Sequence, residues 1–397
     1  MSSGVQRPAV VELRLTAFKS YRDAVLPLAP VTLLHGPSGA GKSNALEGLL
    51  ALSALAGGEE VEEALAPVRG GLDGCVPWGE AEVRLGCSIA SPAGEVRLDV
   101  VLRASSGLVV AERLALDGRL LVTTGAVDAA SGRIDVAWHS DGRQGDIRAP
   151  LSARGLVTAQ LPLRVAGATP GERLVLAAAE HLLTALRECF ALDPVPTLMR
   201  DWVRADDDAR LRGSAANLSA VVARIEGECR IRFGKLAQAA RTMSAAPVTG
   251  LGALRSSGAD GSIAVRAALD EAGGRRVGAG ELPSAVLRQL AFATVLLTGP
   301  GVLQMSPAAE IPEAERLLTV LAEGLDLGLD RARTAQLLRL AVEVAARGHV
   351  RLLATAGEGE AAASVAGVGS VLCRREPVTG RSELAVAEPA AAGVPAQ

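Results

Sequence analysis

The spacing of apolar residues changes along this chain of 397 residues and predicts its elements. Near the N-terminus, two short apolar runs predict strands at Val10–Leu15 and Val31–Leu34. Helical spacing follows the second run and predicts a helix that ends near Gly57. From residue 80 to residue 147 apolar and polar side chains alternate between turn residues. This stretch is therefore predicted to be mainly antiparallel β-sheet.

The C-terminal half is predicted to combine helices with a few strands. The predicted helices are Gly171–Phe190, Ser214–Ile225, Ile231–Met243, Ser284–Leu297, Pro312–Glu323 and Arg331–Arg347. We expect strands at Val302–Met305 and Val350–Thr355, the latter being the last strand of the core. A Gly- and Ser-rich loop is expected at Pro247–Gly261, followed by a hairpin. The Ala- and Pro-rich end, residues 387–397, is predicted to be disordered.

A phosphate-binding motif joins the second strand to the helix after it. Gly36-Pro-Ser-Gly-Ala-Gly-Lys42-Ser43 matches G-x-x-x-x-G-K-S, the Walker A motif. Glycines let successive N–H groups turn towards one anion, and the helix N-terminus adds partial positive charge. Lys42 would reach the β- and γ-phosphates, and the Ser43 hydroxyl would be a ligand of Mg²⁺.

We therefore predict that ATP and Mg²⁺ bind at this loop. A glycine-rich turn that binds nothing is the alternative, but loop, strand and helix all agree with the motif. The predicted nucleotide contacts are Gly36, Pro37, Ser38, Gly39, Ala40, Gly41, Lys42, Ser43 and Asn44.

Composition supports the use of Lys42 and limits the classes of partner. The 41 Lys and Arg residues include only three lysines, so a lysine retained at this position fits a site that needs a compact ammonium. A net charge of −3 argues against a basic surface that would attract nucleic acid over the whole molecule. Only 2% of the residues are aromatic, which argues against binding of single strands by base stacking. The five cysteines show no C-x-x-C spacing, and no apolar run is long enough to span a bilayer. We expect a reduced, cytoplasmic protein without membrane association.

Two segments carry a family resemblance. Phe18-Lys-Ser-Tyr21 followed by Gly41-Lys-Ser-Asn44 resembles the N-terminal head of SMC, RecF and related ABC-type ATPases. Leu211–Val221 is similar to a segment of standalone RecF/OLD-like AAA-type ATP-binding proteins. The resemblance implies an α/β P-loop NTPase fold with an ABC/SMC-head-like core sheet, an antiparallel β lobe and an inserted helical lobe. It also implies a nucleotide held between two heads.

The resemblance and the pattern changes together predict the domain organisation. We expect an N-terminal P-loop half with the β-rich lobe at residues 8–165 and an inserted helical lobe at residues 166–246. The C-terminal half of the ATPase core is expected at residues 247–375, followed by a flexible tail at residues 376–397.

The signature and the Asp-Glu strand that the resemblance implies are both degenerate here. The signature falls on Leu282-Pro-Ser-Ala285, where Pro283 stands at the usual serine position and Ala285 at the usual glycine position, although Ser284 can partly substitute. An ordinary helix start, with proline near its first turn, fits the segment equally well. For the strand that ends in Asp-Glu, two registers are open. The favoured one is Val302–Met305, followed by Ser306-Pro307, because the helical pattern covers residues 312–323. The other is Leu318–Ala322, followed by Glu323. Both lack the aspartate.

Two further parts of the family pattern are equally weak. Gly324–Asp330 resembles the loop that crosses to the second head, but it also fits a helix-to-helix turn. The last core strand is followed by Ala356 instead of the histidine that senses the γ-phosphate. Gln160 is a candidate for orienting water or Mg²⁺, with an ordinary surface role as the alternative.

These features predict an ATP-binding protein in which hydrolysis is slow or absent, so its status as an ATPase stays open. Lys42 and Glu323 are the candidate catalytic residues, with Glu310 as another possible base, and Ser43 is the candidate metal ligand. One alternative is an active ATPase that acts on DNA in repair or defence, which the net charge does not support. The other is a nucleotide-gated dimerising scaffold. The expected partner is a second head or another protein.

Overall fold

The computed structural model describes residues 7–142, 145–207, 210–243, 247–258, 261–299, 302–303 and 316–386. Within these ranges the strands are β1 Ala9–Phe18, β2 Tyr21–Pro27, β3 Val31–His35, β4 Glu82–Ser91, β5 Gly94–Arg103, β6 Leu108–Leu116, β7 Arg119–Asp128, β8 Arg133–Trp138, β9 Ile147–Ser152, β10 Cys189–Leu192, β11 Val203–Arg204, β12 Val248–Ser257, β13 Ile263–Glu271, β14 Arg276–Gly278, β15 Leu318–Ala322, β16 Val350–Ala356, β17 Gly369–Arg375 and β18 Ser382–Val386.

The helices within the same ranges are α1 Lys42–Gly57, α2 Val61–Leu65, α3 Gly71–Cys75, α4 Val157–Gln160, α5 Pro170–Arg187, α6 Pro196–Met199, α7 Leu218–Glu228, α8 Arg230–Met243, α9 Ser284–Thr298, α10 Arg331–Ala345 and α11 Glu360–Ala363. Short 3₁₀ turns lie at Ala104–Ser106 and Leu161–Leu163.

One 14-stranded sheet organises the molecule, in the order β10-β15-β16-β3-β17-β18-β2-β1-β4-β5-β6-β7-β8-β9. Strands β10, β15, β16, β3 and β17 are parallel to one another. Strands β1, β4, β5, β6, β7, β8 and β9, in that order along the sheet, are antiparallel. The first four residues of β3 are buried, as expected for a parallel strand covered on both faces. The predicted α/β class and the antiparallel region are confirmed.

Helices cover the two faces of the parallel part of this sheet. On one face α1 packs against α5 and β1, and its apolar residues belong to a core that continues into the antiparallel lobe. On the other face α7, α8, α9 and α10 form a second core with β3, β15 and β16. Helix α1 ends as predicted, because Gly58 adopts a left-handed conformation (φ 95°) and its N–H donates to the carbonyl oxygen of Leu55.

A second, smaller sheet contains β11, β12, β13 and β14. The hairpin predicted after Ser262 is present as β13 and β14. The prediction of a loop at Pro247–Gly261 is wrong, because Val248–Ser257 forms β12 and pairs with β13 along its length. Its glycines and serines suit a half-exposed strand whose backbone is satisfied by the neighbouring strand.

Strand β15 corrects the prediction for the region around residue 320. A helix at Pro312–Glu323 was expected, but Leu318–Ala322 lies between β10 and β16 and all five side chains are buried. The favoured register at Val302–Met305 is also wrong for the residues described, since Leu303 forms only an isolated bridge with Leu211. Ser306, Pro307 and Glu310 lie outside the described residues. Tertiary pairing of a short apolar run therefore overrides the helical spacing around it.

The C-terminal end of the core is longer than predicted. Strand β16 matches the strand expected at Val350–Thr355, but β17 follows it and pairs with β3. Strand β18 pairs with β17 and reaches β2 through Ser382 and Tyr21. Part of the predicted tail at residues 376–397 is therefore a strand, whereas residues 387–397 lie outside the described ranges.

Candidate functional site

The loop between β3 and α1 has the backbone shape that its glycines allow. Gly36, Gly39 and Gly41 have φ values of 141°, 77° and 113°, which L side chains rarely adopt. A Cβ atom on Gly36 would lie 2.1 Å from the carbonyl oxygen of Cys373. The loop curls around Lys42, whose Nζ donates to the carbonyl oxygens of Gly36 (2.6 Å) and Pro37 (2.9 Å).

Three side chains tie down the rear of this loop. The buried Tyr21 hydroxyl donates to the carbonyl oxygen of Gly41 at 3.0 Å. The carbonyl oxygen of Ala40 accepts from Ser382 Oγ at 2.5 Å and from Cys373 Sγ at 3.2 Å. Burial raises the pKa of both the Tyr21 hydroxyl and the Cys373 thiol, which keeps each group protonated and able to donate. The two loop carbonyls are therefore held towards the interior.

The segment Phe18-Lys-Ser-Tyr21 braces the loop from the same side. Phe18 is a core residue, and Ser20 Oγ accepts from Asn44 Nδ2 at 2.9 Å. Lys19 Nζ pairs with Glu47 Oε2 at 2.6 Å and donates to the carbonyl oxygen of Arg69. Lys19 thus anchors the first turns of α1 to the loop that contains Arg69.

Glu323 follows β15 and contacts the phosphate loop directly. Its Oε1 accepts a hydrogen bond from Ser43 Oγ. The backbone around it is fixed as well, because the buried Arg288 donates to the carbonyl oxygens of Glu323 (2.8 Å) and Gly324 (3.0 Å). Gly324 N–H donates to Thr355 Oγ1 at 2.9 Å. A hydroxyl and a carboxylate so placed are oxygen donors of the kind that Mg²⁺ prefers.

A cavity of about 540 Å³ opens in front of the loop. Of the predicted nucleotide contacts, the cavity is lined by Ser38, Gly39, Gly41, Lys42, Ser43 and Asn44, whereas Gly36, Pro37 and Ala40 do not line it. Three cations and two carboxylates face this space: Lys42, Arg69, Arg375, Glu323 and Asp326. The excess of positive charge suits a polyphosphate.

The loop after β15 forms the edge of the cavity opposite the phosphate loop. Asp326 Oδ2 accepts from the N–H groups of Gly357 (2.8 Å) and Glu358 (3.3 Å). Gly324–Asp330 connects β15 to α10, so it is a strand-to-helix loop and the helix-to-helix interpretation is wrong. Leu327 within it lines the cavity and is 55% exposed.

The end of β16 carries Ala356, which pairs in register with His35 of β3. Burial, together with the nearby charge of Lys42, lowers the pKa of His35, so its imidazole is neutral at physiological pH. His35 packs against Gly359, where a Cβ atom would lie 2.4 Å from the imidazole ring. No prediction from the sequence identified this histidine.

Three other predicted residues lie elsewhere. Gln160 exchanges hydrogen bonds with the backbone of Ser152 in the antiparallel lobe and does not line the cavity. Ser284 begins α9 directly after Pro283, and its Oγ accepts from Arg200 at 3.1 Å. Glu310 lies outside the described residues.

The residues that sequence reasoning missed come from distant parts of the chain. Arg69 belongs to a glycine-rich loop, Thr355 to the end of β16, and Arg375 and Ser382 to the last two strands. No motif marks them. The order of strands in the sheet brings Thr355, Arg375 and Ser382 to the phosphate loop, and the loop between α2 and α3 brings Arg69.

Among proteins of known structure, two heads of SMC proteins match this chain along its length. One is the SMC head bound to the C-terminal winged-helix domain of ScpA, at 12% identity and a TM-score of 0.50, with 96% of this chain and 97% of that chain covered. The other, from Pyrococcus furiosus, is an SMC head with an extended coiled coil bound to the C-terminal domain of ScpA, at 12% identity and a TM-score of 0.50, with 96% of both chains covered.

The chain has the fold of an SMC-type ATPase head. The recombination mediator RecF is more distant, at 10% identity and a TM-score of 0.44, with 96% of this chain and 99% of RecF covered. No protein-family model matches the sequence, and no curated protein matches it either.

None of the helices in the described ranges combines the length and the apolar character that crossing a bilayer requires. No cluster of three or more His, Cys, Asp or Glu side chains in those ranges could hold a metal ion.

Proposed function

We propose that this SMC-type head binds ATP with Mg²⁺ at the loop of residues 36–43 and hydrolyses it slowly or not at all. The observation that carries the proposal is the hydrogen bond from Ser43 to Glu323. It joins the two elements that would hold Mg²⁺ in a P-loop NTPase, the phosphate loop and the end of β15. Lys42 supplies the charge that the β- and γ-phosphates need, and bound Mg²⁺ would supply charge compensation between them.

The same hydrogen bond assigns a role to Glu323. A carboxylate that accepts from the loop serine supports the metal and is not free to polarise an attacking water. The preceding residue is Ala322, so a second carboxylate is missing at the strand end. Asp326, the other carboxylate among the described residues that line the cavity, is held by two backbone N–H groups. Slow turnover follows, because hydrolysis needs a positioned water as well as countercharge.

We further propose that two copies enclose the nucleotide between them, as a nucleotide-gated scaffold requires. We expect Leu327, which lines the cavity and is 55% exposed, to contact the second copy. The SMC heads of similar fold are bound to domains of ScpA. We propose that this chain also binds a second protein. Sedimentation in the presence of ATP, of ADP and without nucleotide tests the proposed dimer. We expect dimers only when ATP is present, and no dimers of Lys42→Ala under any of the three conditions.

Binding of Mg-ATP to variants, measured by titration calorimetry, tests the proposed site. Lys42→Ala is expected to weaken binding about 100-fold, because a desolvated charge-assisted contact is lost. Glu323→Gln is expected to weaken Mg-ATP binding about tenfold and to leave binding of ATP in EDTA unchanged. Glu358→Gln is the matched control, since Glu358 lies nearby but does not line the cavity.

The opposite behaviour of Glu323→Gln would assign the residue to catalysis. If the wild-type protein turns over ATP while Glu323→Gln binds Mg-ATP more tightly and retains it, Glu323 is the general base. The active-ATPase alternative would then replace the proposal.

A further inference from the structure

The hairpin of β17 and β18, here called the C-terminal hairpin (residues 369–386), packs against the phosphate loop from the strand side. Strand β17 is the parallel neighbour of β3, which leads into the loop. Strand β18 reaches β2 through the pair Ser382 and Tyr21. The hairpin therefore closes the sheet between the strand that feeds the loop and the strand that carries Tyr21.

At the rear of the loop, Ser382 fixes a single carbonyl group. Its Oγ donates to the carbonyl oxygen of Ala40 at 2.5 Å and lies 2.7 Å from Ser20 Oγ. The fit is tight, since a Cβ atom on Gly41 would lie 2.3 Å from Ser382 Oγ. A carbonyl turned towards the cavity would repel phosphate, so a donor behind Ala40 favours the loop conformation that binds an anion.

At the front of the loop, Arg375 brings a guanidinium to the cavity. Arg375 and Ser382 are directly paired across the hairpin. This one pair of residues therefore contacts the loop from behind through Ser382 and lines the cavity in front of it through Arg375. The other two cations at the cavity are engaged: Lys42 with loop carbonyls, and Arg69 with Asn44 and Glu47. Within the described part of the chain, the Arg375 guanidinium forms no hydrogen bond or ion pair.

We propose that the C-terminal hairpin is part of the nucleotide site. Arg375 binds a phosphate oxygen of the nucleoside triphosphate in the same subunit, and Ser382 is a positioning residue that acts through Ala40. This inference rests on the proposed function, because it assumes that the cavity holds a nucleotide. It extends the site to a hairpin that begins more than 320 residues after the phosphate loop.

The test compares four variants for affinity towards Mg-ATP and for thermal unfolding without nucleotide. Arg375→Gln is expected to weaken binding about tenfold, which corresponds to about 1.4 kcal/mol, and to lower the salt dependence of binding. Arg375→Lys keeps the charge and should restore part of the affinity. Arg374→Gln removes the adjacent charge, which points to the other face of β17, and should bind like the wild type. Ser382→Ala should weaken ATP and ADP binding to a similar extent.

The outcomes separate this inference from the proposed function. If Lys42→Ala loses binding while Arg375→Gln and Ser382→Ala bind like the wild type, the inference is wrong and the proposed function stands. An equal loss for Arg374→Gln and Arg375→Gln would also overturn it, because the effect would then be one of net charge. If Lys42→Ala binds Mg-ATP normally, the proposed function itself fails.

Discussion

At the scale of single residues, Gly36 shows why the phosphate loop accepts one residue type at its first position. Its φ of 141° is rarely adopted by L side chains, and the carbonyl of Cys373 occupies the space where a Cβ atom would lie. The backbone, not a flexible side chain, closes that space, so little relaxation is available. Gly39 also has a positive φ, but nothing lies within 4 Å of its Cβ position.

This difference predicts losses of different size for two otherwise similar substitutions. Gly36→Ala should lower the free energy of unfolding by about 2–4 kcal/mol, because backbone strain adds to a steric clash with β17. Gly39→Ala should cost only about 1 kcal/mol, from backbone strain alone. Urea denaturation of the two variants measures both values. Equal losses would mean that β17 does not restrict the loop.

Residue-scale features of the site were predictable where a motif is local. The glycines, Lys42 and Ser43 follow from one stretch of sequence, because their spacing is set by the loop itself. The donor to Ala40 was not predictable, since Ser382 lies 342 residues away and belongs to no motif. The role of Glu323 depends on the place of β15 in the sheet, where β16 separates it from β3. Local spacing does not encode that order.

At the scale of elements, β6 and α4 are joined by a buried carboxylate. Glu112 is 1% exposed and accepts from Val157 N–H (2.7 Å), Thr158 N–H (2.6 Å) and Thr158 Oγ1 (2.5 Å). Burial raises the pKa of Glu112 to about 7, although these hydrogen bonds oppose the shift. The folded protein therefore holds a proton on Glu112 at pH values where the unfolded chain has lost it.

Stability should consequently fall as pH rises from about 4.5, the usual pKa of the carboxyl group, to about 7. The contribution is fully present below this window and is lost above it, and its size is up to about 3 kcal/mol. Urea denaturation at intervals across this range, for the wild type and Glu112→Gln, isolates it. The difference between the two proteins should change steadily with pH, and a constant difference would show that Glu112 does not titrate in this window.

Among the elements, the sequence predicted best those whose pattern is long and bounded by clear end signals. Helix α1 starts at the motif and stops at two glycines, and α10 has regular apolar spacing. The sequence does not distinguish β15 from the end of a helix, because five buried residues are too few to separate the two periods. It predicts a loop in place of β12, because the Gly and Ser content of that strand is typical of turns.

At the scale of the whole molecule, one continuous sheet positions the site. The parallel strands end at the phosphate loop, as the carboxyl ends of such strands do in α/β proteins, and the antiparallel lobe extends the same sheet away from it. The SMC-type fold was predictable from two short motifs. The closure by the C-terminal hairpin was not, because its strands carry no motif and pair with elements more than 300 residues earlier.

The central claim is that this head holds Mg-ATP without consuming it at a catalytic rate. The most direct measurement is the identity of the nucleotide recovered from the protein after incubation with Mg-ATP, removal of free nucleotide, and denaturation. We predict about one nucleotide per chain, recovered as ATP after many minutes. Recovery of ADP, with phosphate released in multiple turnovers, would contradict the claim of slow hydrolysis. Recovery of no nucleotide would contradict the binding site.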